Sequence, residues 1–259
     1  MSPPPIAVRE QIREERFRAV WNQQLDAVFA DVAPYYDRAN SVASLGLWKS
    51  FLDAFMATID VHPGERVLDV CAGTNAVGIA LLRREPTLDV HAIDRSMEMQ
   101  AVGNARAEAR GFHIDGVIGD VHSLPFPDST FDVVTLQYAS RHLRIDRVFS
   151  EILRVLKPGG RFHHCDMLRP GSPLVEKAYF VYLRLTLFFT GFWFRSSPAA
   201  LECKKYFIRT LAMFYSAEEL SSVLRSTGFQ DVSCRTILAG MIGYHRAVKP
   251  GLPWQPRAG

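Results

Sequence analysis

An α/β fold, doubly wound around a mostly parallel seven-stranded sheet, is predicted by three features of this 259-residue chain. From Gly64 to Cys165, short β-rich apolar runs alternate with amphipathic stretches of about ten or more residues, the signature of successive βαβ units. The first run leads through a small-residue turn into a helix start in RVLDVCAGTNAVGIAL, the arrangement at which open sheets receive ligands. Acids then accompany the ends of the first three runs in succession: Asp69, Asp94 and Asp120.

Ahead of the sheet, Phe17 to Ile59 reads as two or three helices with aromatic residues at helical spacing (Trp21, Phe29, Tyr35, Tyr36, Trp48, Phe51, Phe55), a helical cap over residues 1–60. The stretch REQIREERFR, Arg9 to Arg18, interleaves Arg and Glu as a solvated helix face does. Residues 61–259 make the main domain. Its strands are expected at Arg66 to Val70, Val90 to Ile93, Gly116 to Ile118, Phe131 to Leu136 and Arg161 to Cys165. Helices fall after Asn75, from Ser96 to Arg110, and around Asp146 to Leu156. The last stops at LKPGG, where Pro158 cannot continue a helix and the glycines permit a left-handed turn. Pro173 to Phe214 is aromatic-rich and helical and interrupts the sheet as a lid insertion over about residues 170–214. Ser216-Ala217-Glu218-Glu219 is a capping box opening a helix to Thr227, ended by Gly228. Asp231 to Ile237 and Met241 to Lys249 then close the sheet as a hairpin.

Composition narrows the partners. A formal net charge of +3, with basic residues spread among acids, argues against nucleic acid. The four cysteines form no Cys-x-x-Cys pair, so neither a zinc site nor a disulfide framework is expected, and no metal is assigned. His163 and His164 have no acid or Cys at ligand spacing and read as structural. The opening MSPPPIAVRE lacks the apolar core of a signal peptide, and Leu174 to Phe194, the most apolar stretch, is broken by Glu176, Lys177 and Arg184. A cytoplasmic protein is expected, at most peripheral to the inner face of a membrane. A homodimer is left open.

Asp94 closes the second strand where a carboxylate accepts both hydroxyls of a ribose, and Asp120 with the Val121 N–H follows the third, placed to read an adenine edge. Either acid alone also suits a helix N-cap. Three acids at three successive strand ends point instead to an adenosine-containing ligand.

The combination of LDVCAGT, AIDRSMEM, GDVHSLPFPDSTFDVV and EILRVLKPGG resembles the class I methyltransferases, and so implies the Rossmann-like methyltransferase fold and S-adenosyl-L-methionine as cofactor. The segments VFADVAPYYDRANSVASLGLWKSFL, QYASRHLRI, PLVEKAYFVY and AGMIGYHRAVKP narrow the resemblance to the ubiquinone/menaquinone biosynthesis C-methyltransferase family, from about Val28 to Lys249. By that resemblance Asp69 and the Ala72, Gly73, Thr74 turn hold the methionine portion, and Asp94, Arg95, Asp120, Val121 and Gln137 complete the cofactor site. Two departures stand out. Asn75 and Ala76 replace the family's Gly-Asp, with Asn able to take the left-handed conformation. Tyr138-Ala139-Ser140-Arg141-His142 replaces a small-residue stretch ending in Arg-Asn and alters the acceptor side.

C-methylation of a phenolic or quinol ring requires removal of the hydroxyl proton, which a group titrating near neutrality suits. His142 is the expected base, titrating at about 6 to 7.5, with Arg141 stabilising the phenolate and Tyr36 positioning substrate or cofactor. The alternative for His142 is a helix-start cap, and for Tyr36 a core aromatic. Asp166 ranks second as a site residue, and Tyr206 and Arg209 on the lid have no assigned role. The acceptor is expected to be a lipophilic or aromatic small molecule. Tyr179 to Phe194 then covers its tail, dips into a bilayer interface between Lys177, Arg184 and Arg195, or is plain core. Two other functions stay open: an O- or N-methyltransferase of a specialised metabolite or lipid, and a non-catalytic S-adenosylmethionine binder, the latter suggested by Ala76.

Overall fold

The computed structural model describes residues 6–23, 25–193 and 206–251. The chain runs α1 (Ile6–Gln23), α2 (Leu25–Val32), α3 (Tyr36–Ala43), α4 (Trp48–Met56), β1 (Arg66–Val70), α5 (Ala76–Arg84), β2 (Asp89–Asp94), α6 (Met97–Glu108), β3 (Asp115–Ile118) and β4 (Phe131–Gln137). It continues through α7 (Ile145–Val155), β5 (Leu156–Met167), α8 (Pro173–Trp193), α9 (residues 206–212), α10 (Ala217–Thr227), β6 (Gln230–Ile237) and β7 (Ile242–Val248).

The sheet order is β3-β2-β1-β4-β5-β7-β6. Strands β1 to β5 are parallel, and β7 lies antiparallel between β5 and β6. The seven expected strands are therefore all present, and the doubly wound, mostly parallel sheet is the observed architecture. The inner strands are apolar on successive residues because both faces are covered. Val67 and Val133 pack with Phe55 and Leu81 on one face, while Leu68 and Val134 pack with Phe149 and Phe162 on the other.

Local signals behave as their chemistry requires. In α7 the buried residues Ile145, Val148, Phe149, Ile152 and Val155 fall on one helical stripe. The helix stops before Pro158, and Gly159 turns the chain at φ +78°. At α10 the Ser216 hydroxyl accepts from the Glu219 N–H at 3.4 Å and the Glu219 carboxylate accepts from the Ser216 N–H at 2.8 Å.

The largest difference from expectation is at the N-terminus. Helix α1 begins at Ile6, and Arg9 to Arg18 is solvated on one face only: Gln11, Glu15, Arg16 and Arg18 are exposed, whereas Glu10 and Arg13 are fully buried. Each charge finds its partner in the other and in the chain around residues 141–145, which no local pattern can reveal. Within Phe17 to Ile59 the described residues hold the end of α1, three further α-helices and a 3-10 turn. In the lid region, Tyr179 and Leu183 of α8 pack with Leu211 of α9 against Met167, beside the carboxyl end of β5. The expectations for residues 194–205, Phe194 and Arg195 included, lie outside the described residues.

Candidate active site

A cleft of about 900 Å3 of empty space opens at the carboxyl ends of β1, β2 and β4 and meets a second lobe of about 820 Å3 beyond β3. Tyr36, Asp69, Ala72, Gly73, Thr74, Gln137 and Asp94 line the first lobe; Asp120 and Val121 line the second. Arg95 and His142 line both, so they mark the junction.

The turn after β1 is built from left-handed residues: Cys71 at φ +55°, Gly73 at +53° and Asn75 at +55°. Asn75 stands in for the family's glycine, and its side chain points away from the cleft. Its Nδ2 donates to Asn104 Oδ1 at 3.0 Å, and Gln100 Nε2 donates to its Oδ1 at 3.3 Å. Gly103 permits this approach, since a Cβ there would sit 2.8 Å from the Asn75 amide. Thr74 is pinned from above, with its hydroxyl 3.5 Å from Asp37, which pairs with Arg106 at 2.5 Å.

Asp94 receives the Gly73 N–H at 2.8 Å and the Ser96 N–H at 2.9 Å, one on each carboxylate oxygen. Burial nevertheless pushes its carboxyl above the ordinary value, against those bonds. Asp69 is 2% exposed; its Oδ1 takes the Thr135 hydroxyl at 2.7 Å, while its Oδ2 is buried without a hydrogen-bond partner. Burial, aided by the nearby Asp94 charge and opposed by Thr135, raises its pKa to about 7. Gln137 Nε2 is likewise buried without a partner. An acceptor and a donor left unpaired on a cleft wall are what a polar ligand would satisfy.

Asp120 is more exposed than expected of a residue reading a base edge. It pairs with its neighbour His122, whose ring nitrogen is 2.6 Å away, and despite the cost of partial burial these bonds hold its carboxyl below the ordinary value. Val121 lines the same lobe, its side chain packed into the core. Arg95 donates to the Trp21 carbonyl at 2.8 Å, which ties α1 to the rim.

On the acceptor side, Tyr138 adopts φ +55° and stacks on Trp48 with ring centroids 5.0 Å apart, and Tyr36 meets Trp48 edge-on. Burial raises the Tyr36 phenol above its ordinary pKa, so this hydroxyl stays protonated. His142 is 7% exposed, and its Nδ1 lies 2.6 Å from the Tyr206 hydroxyl, with the two rings stacked at 5.5 Å. Burial first, then the charges of Arg141 and Arg13, push its pKa well below 6.5. This corrects the expected titration near 6 to 7.5: the imidazole is neutral throughout the neutral range. Arg141 is also corrected. It lines neither lobe, and its Nη1 donates to Asp166 at 2.6 Å and to the Tyr138 carbonyl at 2.8 Å. A guanidinium so committed holds the turn and does not face an acceptor.

Tyr206 is the site residue that sequence reasoning left without a role. Its aromatic hydroxyl on the lid was visible, but its contact with His142 spans 64 residues. His163 and His164 are fully buried, the former 3.1 Å from Asp60 and the latter 2.9 Å from the Ser140 hydroxyl.

Comparison with known proteins decides the family. The model for the ubiE/COQ5 methyltransferase family matches residues 17–249. The chain belongs to this family. Among similar proteins, the demethylmenaquinone methyltransferase of Clavibacter sepedonicus is 36% identical over 231 residues, covering 88% of this chain and 91% of that protein. The ubiquinone/menaquinone biosynthesis C-methyltransferase UbiE of Dinoroseobacter shibae is 30% identical over 228 residues, covering 87% and 90%. Similar solved structures include the [4+2]-cyclase SpnF, at a TM-score of 0.62, 21% identity and coverage of 88% of this chain and 96% of that one. Phosphoethanolamine N-methyltransferase 2 of Haemonchus contortus, in complex with S-adenosyl-L-methionine, aligns at a TM-score of 0.58 and 18% identity, covering 79% and 53%. These two share the fold. As a ubiE/COQ5 family member the protein is an S-adenosylmethionine-dependent methyltransferase. The unpaired Asp69 and Gln137 atoms and the backbone-anchored Asp94 carboxylate fit that cofactor's ammonium, carboxylate and ribose chemistry.

Proposed function

We propose that the protein methylates a ring carbon of a prenylated quinol or related phenolic acceptor, with His142 as the base that takes the ring hydroxyl proton. The carrying observation is a buried, neutral imidazole at the junction of the two lobes, held through Nδ1 by Tyr206. Bound S-adenosylmethionine would supply a methyl group already activated on a sulfonium. As the S–CH3 bond breaks and the ring carbon of the phenolate takes the methyl, S-adenosylhomocysteine leaves. The ring C–H proton then returns the oxygen to a hydroxyl through water, the proton on His142 passing to solvent. Asp94 would accept the ribose hydroxyls, Asp69 the ammonium, and Gln137 would donate to the carboxylate, while the Thr74 turn and Tyr36 orient the methionine end.

Asp120 and the Val121 amide would border the adenine, with Arg95 between the lobes. To accept a proton at Nε2, His142 carries its own proton on Nδ1 and donates it to the Tyr206 oxygen. A low pKa makes this imidazole a weaker base, but one available at every physiological pH, and the imidazolium it forms stands beside the phenolate it creates. Trp48, Phe29 and Tyr138 exclude water and offer flat faces to a ring. Arg141 acts by holding the turn through Asp166, not by touching the phenolate.

The relatives named as demethylmenaquinone methyltransferases support a naphthoquinol ring. Val181, Leu185, Phe188 and Phe189, exposed along α8, support a lipophilic tail lying there or contact with a membrane surface. No helix among the described residues is long and apolar enough to cross a membrane.

The test is radiolabelled methyl transfer to a short-tailed prenyl naphthohydroquinol, with the methylated atom placed by mass spectrometry. A methyl on oxygen would overturn C-methylation. His142→Asn should lose roughly two orders of magnitude in turnover with S-adenosylhomocysteine affinity retained. In the parent chain activity should rise with pH through an apparent pKa below 6.5, the deprotonated imidazole being the active form. An Asn variant with full activity and the same profile would move the base elsewhere, Asp37 on the cleft being the next candidate.

A further inference from the structure

We infer that α1 is a positioning element of the methyl-transfer site, in which Glu10, Arg13 and Trp21 clamp the 141–145 turn and fix the orientation of the His142 ring. The inference deepens the reading of His142 as base and rests on it for its meaning in catalysis.

Three contacts flank His142 without touching it. Arg13 Nη2 donates to the Arg141 carbonyl at 2.8 Å, immediately before His142. Glu10 Oε2 accepts the Ile145 N–H at 2.9 Å, just after it in the chain. Trp21 Nε1 donates at 2.8 Å to the Tyr206 hydroxyl, which lies 2.6 Å from His142 Nδ1. The same helix therefore holds the backbone on both sides of His142 and the partner of its ring.

The turn needs such support. Tyr138 is left-handed, Ser140–His142 is a single 3-10 turn, and Arg144 at the N-cap of α7 supplies no side-chain cap. Glu10 provides the missing acceptor from 135 residues away. Its other oxygen pairs with Arg13 Nη1 and takes the Tyr215 hydroxyl at 2.9 Å, so the carboxylate is satisfied on every side. Both charges are fully buried. Packing alone would be served as well by apolar side chains, because desolvating an ion pair offsets most of its attraction. What the pair adds is direction: one donor, Arg13 Nη2, and one acceptor, Glu10 Oε2, each aimed at a named backbone atom of the turn. The family match begins at residue 17, so Glu10 and Arg13 precede the matched segment.

Among the described residues, the cations that disfavour the His142 imidazolium are Arg13 from α1 and the adjoining Arg141, and Tyr206 from α9 meets the ring. The lobes that His142 lines also hold Tyr36, Asp37, Asp94, Arg95, Glu14, Arg18, Asp120, His122, Arg144 and Arg147. Neither Glu10 nor Arg13 lines a lobe of the cleft, so the clamp can be altered without touching cofactor contacts.

The experiment replaces both charges, Glu10→Gln with Arg13→Met, so that no lone buried ion remains. The imidazole of His142 is then titrated by NMR, with S-adenosylhomocysteine calorimetry confirming a folded cofactor site. The ring is expected to titrate closer to 6.5 than in the parent chain, because a cation is gone and the loosened turn admits water. Turnover of the prenyl naphthohydroquinol should fall roughly ten- to hundredfold, with the acidic limb of its pH profile displaced upward. A folded double variant whose His142 titrates as in the parent overturns the clamp. Should that variant fail to fold, Trp21→Phe decides: a changed distribution of the proton between Nδ1 and Nε2, read from the 15N shifts, supports it, and an unchanged one overturns it. Full activity in His142→Asn would defeat the base reading alone, since the ring titration reports on the clamp whether or not His142 is the base.

Discussion

Asp69 occupies the most costly position among the cleft residues. Its carboxyl is buried, one oxygen has no partner, and its pKa stands at about 7 against 3.8 for an ordinary Asp. A folded-state pKa raised above the unfolded one means that the native chain binds the extra proton. Stability is therefore lost as pH rises from about 4 through 7, and the full penalty stands above 7. Asp69→Asn should raise the stability of the ligand-free protein at pH 8 by roughly 2 to 4 kcal/mol, with little change at pH 4. On the proposed role of Asp69 toward the ammonium, the same change should weaken S-adenosylhomocysteine binding at least tenfold, because the negative charge is lost. Thermal denaturation and calorimetry at the two pH values check both halves, and a variant that is not stabilised at pH 8 contradicts the raised pKa. The acids were legible in the sequence because each lies at or just past the carboxyl end of a strand, the ligand edge of the sheet. What could not be read was which oxygen is left over, since Thr135 is 66 residues from Asp69. The same limit hid the commitment of Arg141 to Asp166 and the pairing of His142 with Tyr206.

At the level of elements, α8 divides its apolar residues between two tasks. Tyr179 and Leu183 face Met167 and Leu211, whereas Leu185, Phe188 and Phe189 are more than half exposed. Exposed rings contribute little to the core, so Phe188→Ser with Phe189→Ser should leave the melting temperature nearly unchanged. If they cover a tail, catalytic efficiency should fall more on long-tailed acceptors than on short-tailed ones, each buried methylene being worth about 0.8 kcal/mol. Equal losses on both lengths would show that the helix does not sense the tail. The strands and α7 were readable because their signals are local: apolar runs bounded by Gly and Pro, one apolar stripe, Pro158 as a stop. Helix α1 was misread because a charge-rich helix face is ordinarily wet. The burial of Glu10 and Arg13 depends on partners more than 120 residues away.

For the whole molecule, the N-terminal helices and the sheet meet at the cleft. Trp21 lines the second lobe and its carbonyl receives Arg95, while Asp37 of α3 reaches the Thr74 turn. S-adenosylhomocysteine should accordingly slow amide hydrogen exchange in α1 to α3 and in the Cys71–Asn75 turn, and leave β6, at the far edge of the sheet, nearly unaffected. Exchange mass spectrometry checks this; uniform protection would mean that the ligand acts only through global stability. The position of β7 has a consequence for the order of events at the ribosome. Although it follows β6 in the chain, it fills the gap between β5 and β6. Until residue 248 has been synthesised, β5 presents an open edge of backbone donors and acceptors, and β6 has no neighbour to pair with. The nascent protein thus carries an adhesive edge until β7 is made, and a chain stalled before β7 would offer that edge to any other strand in reach.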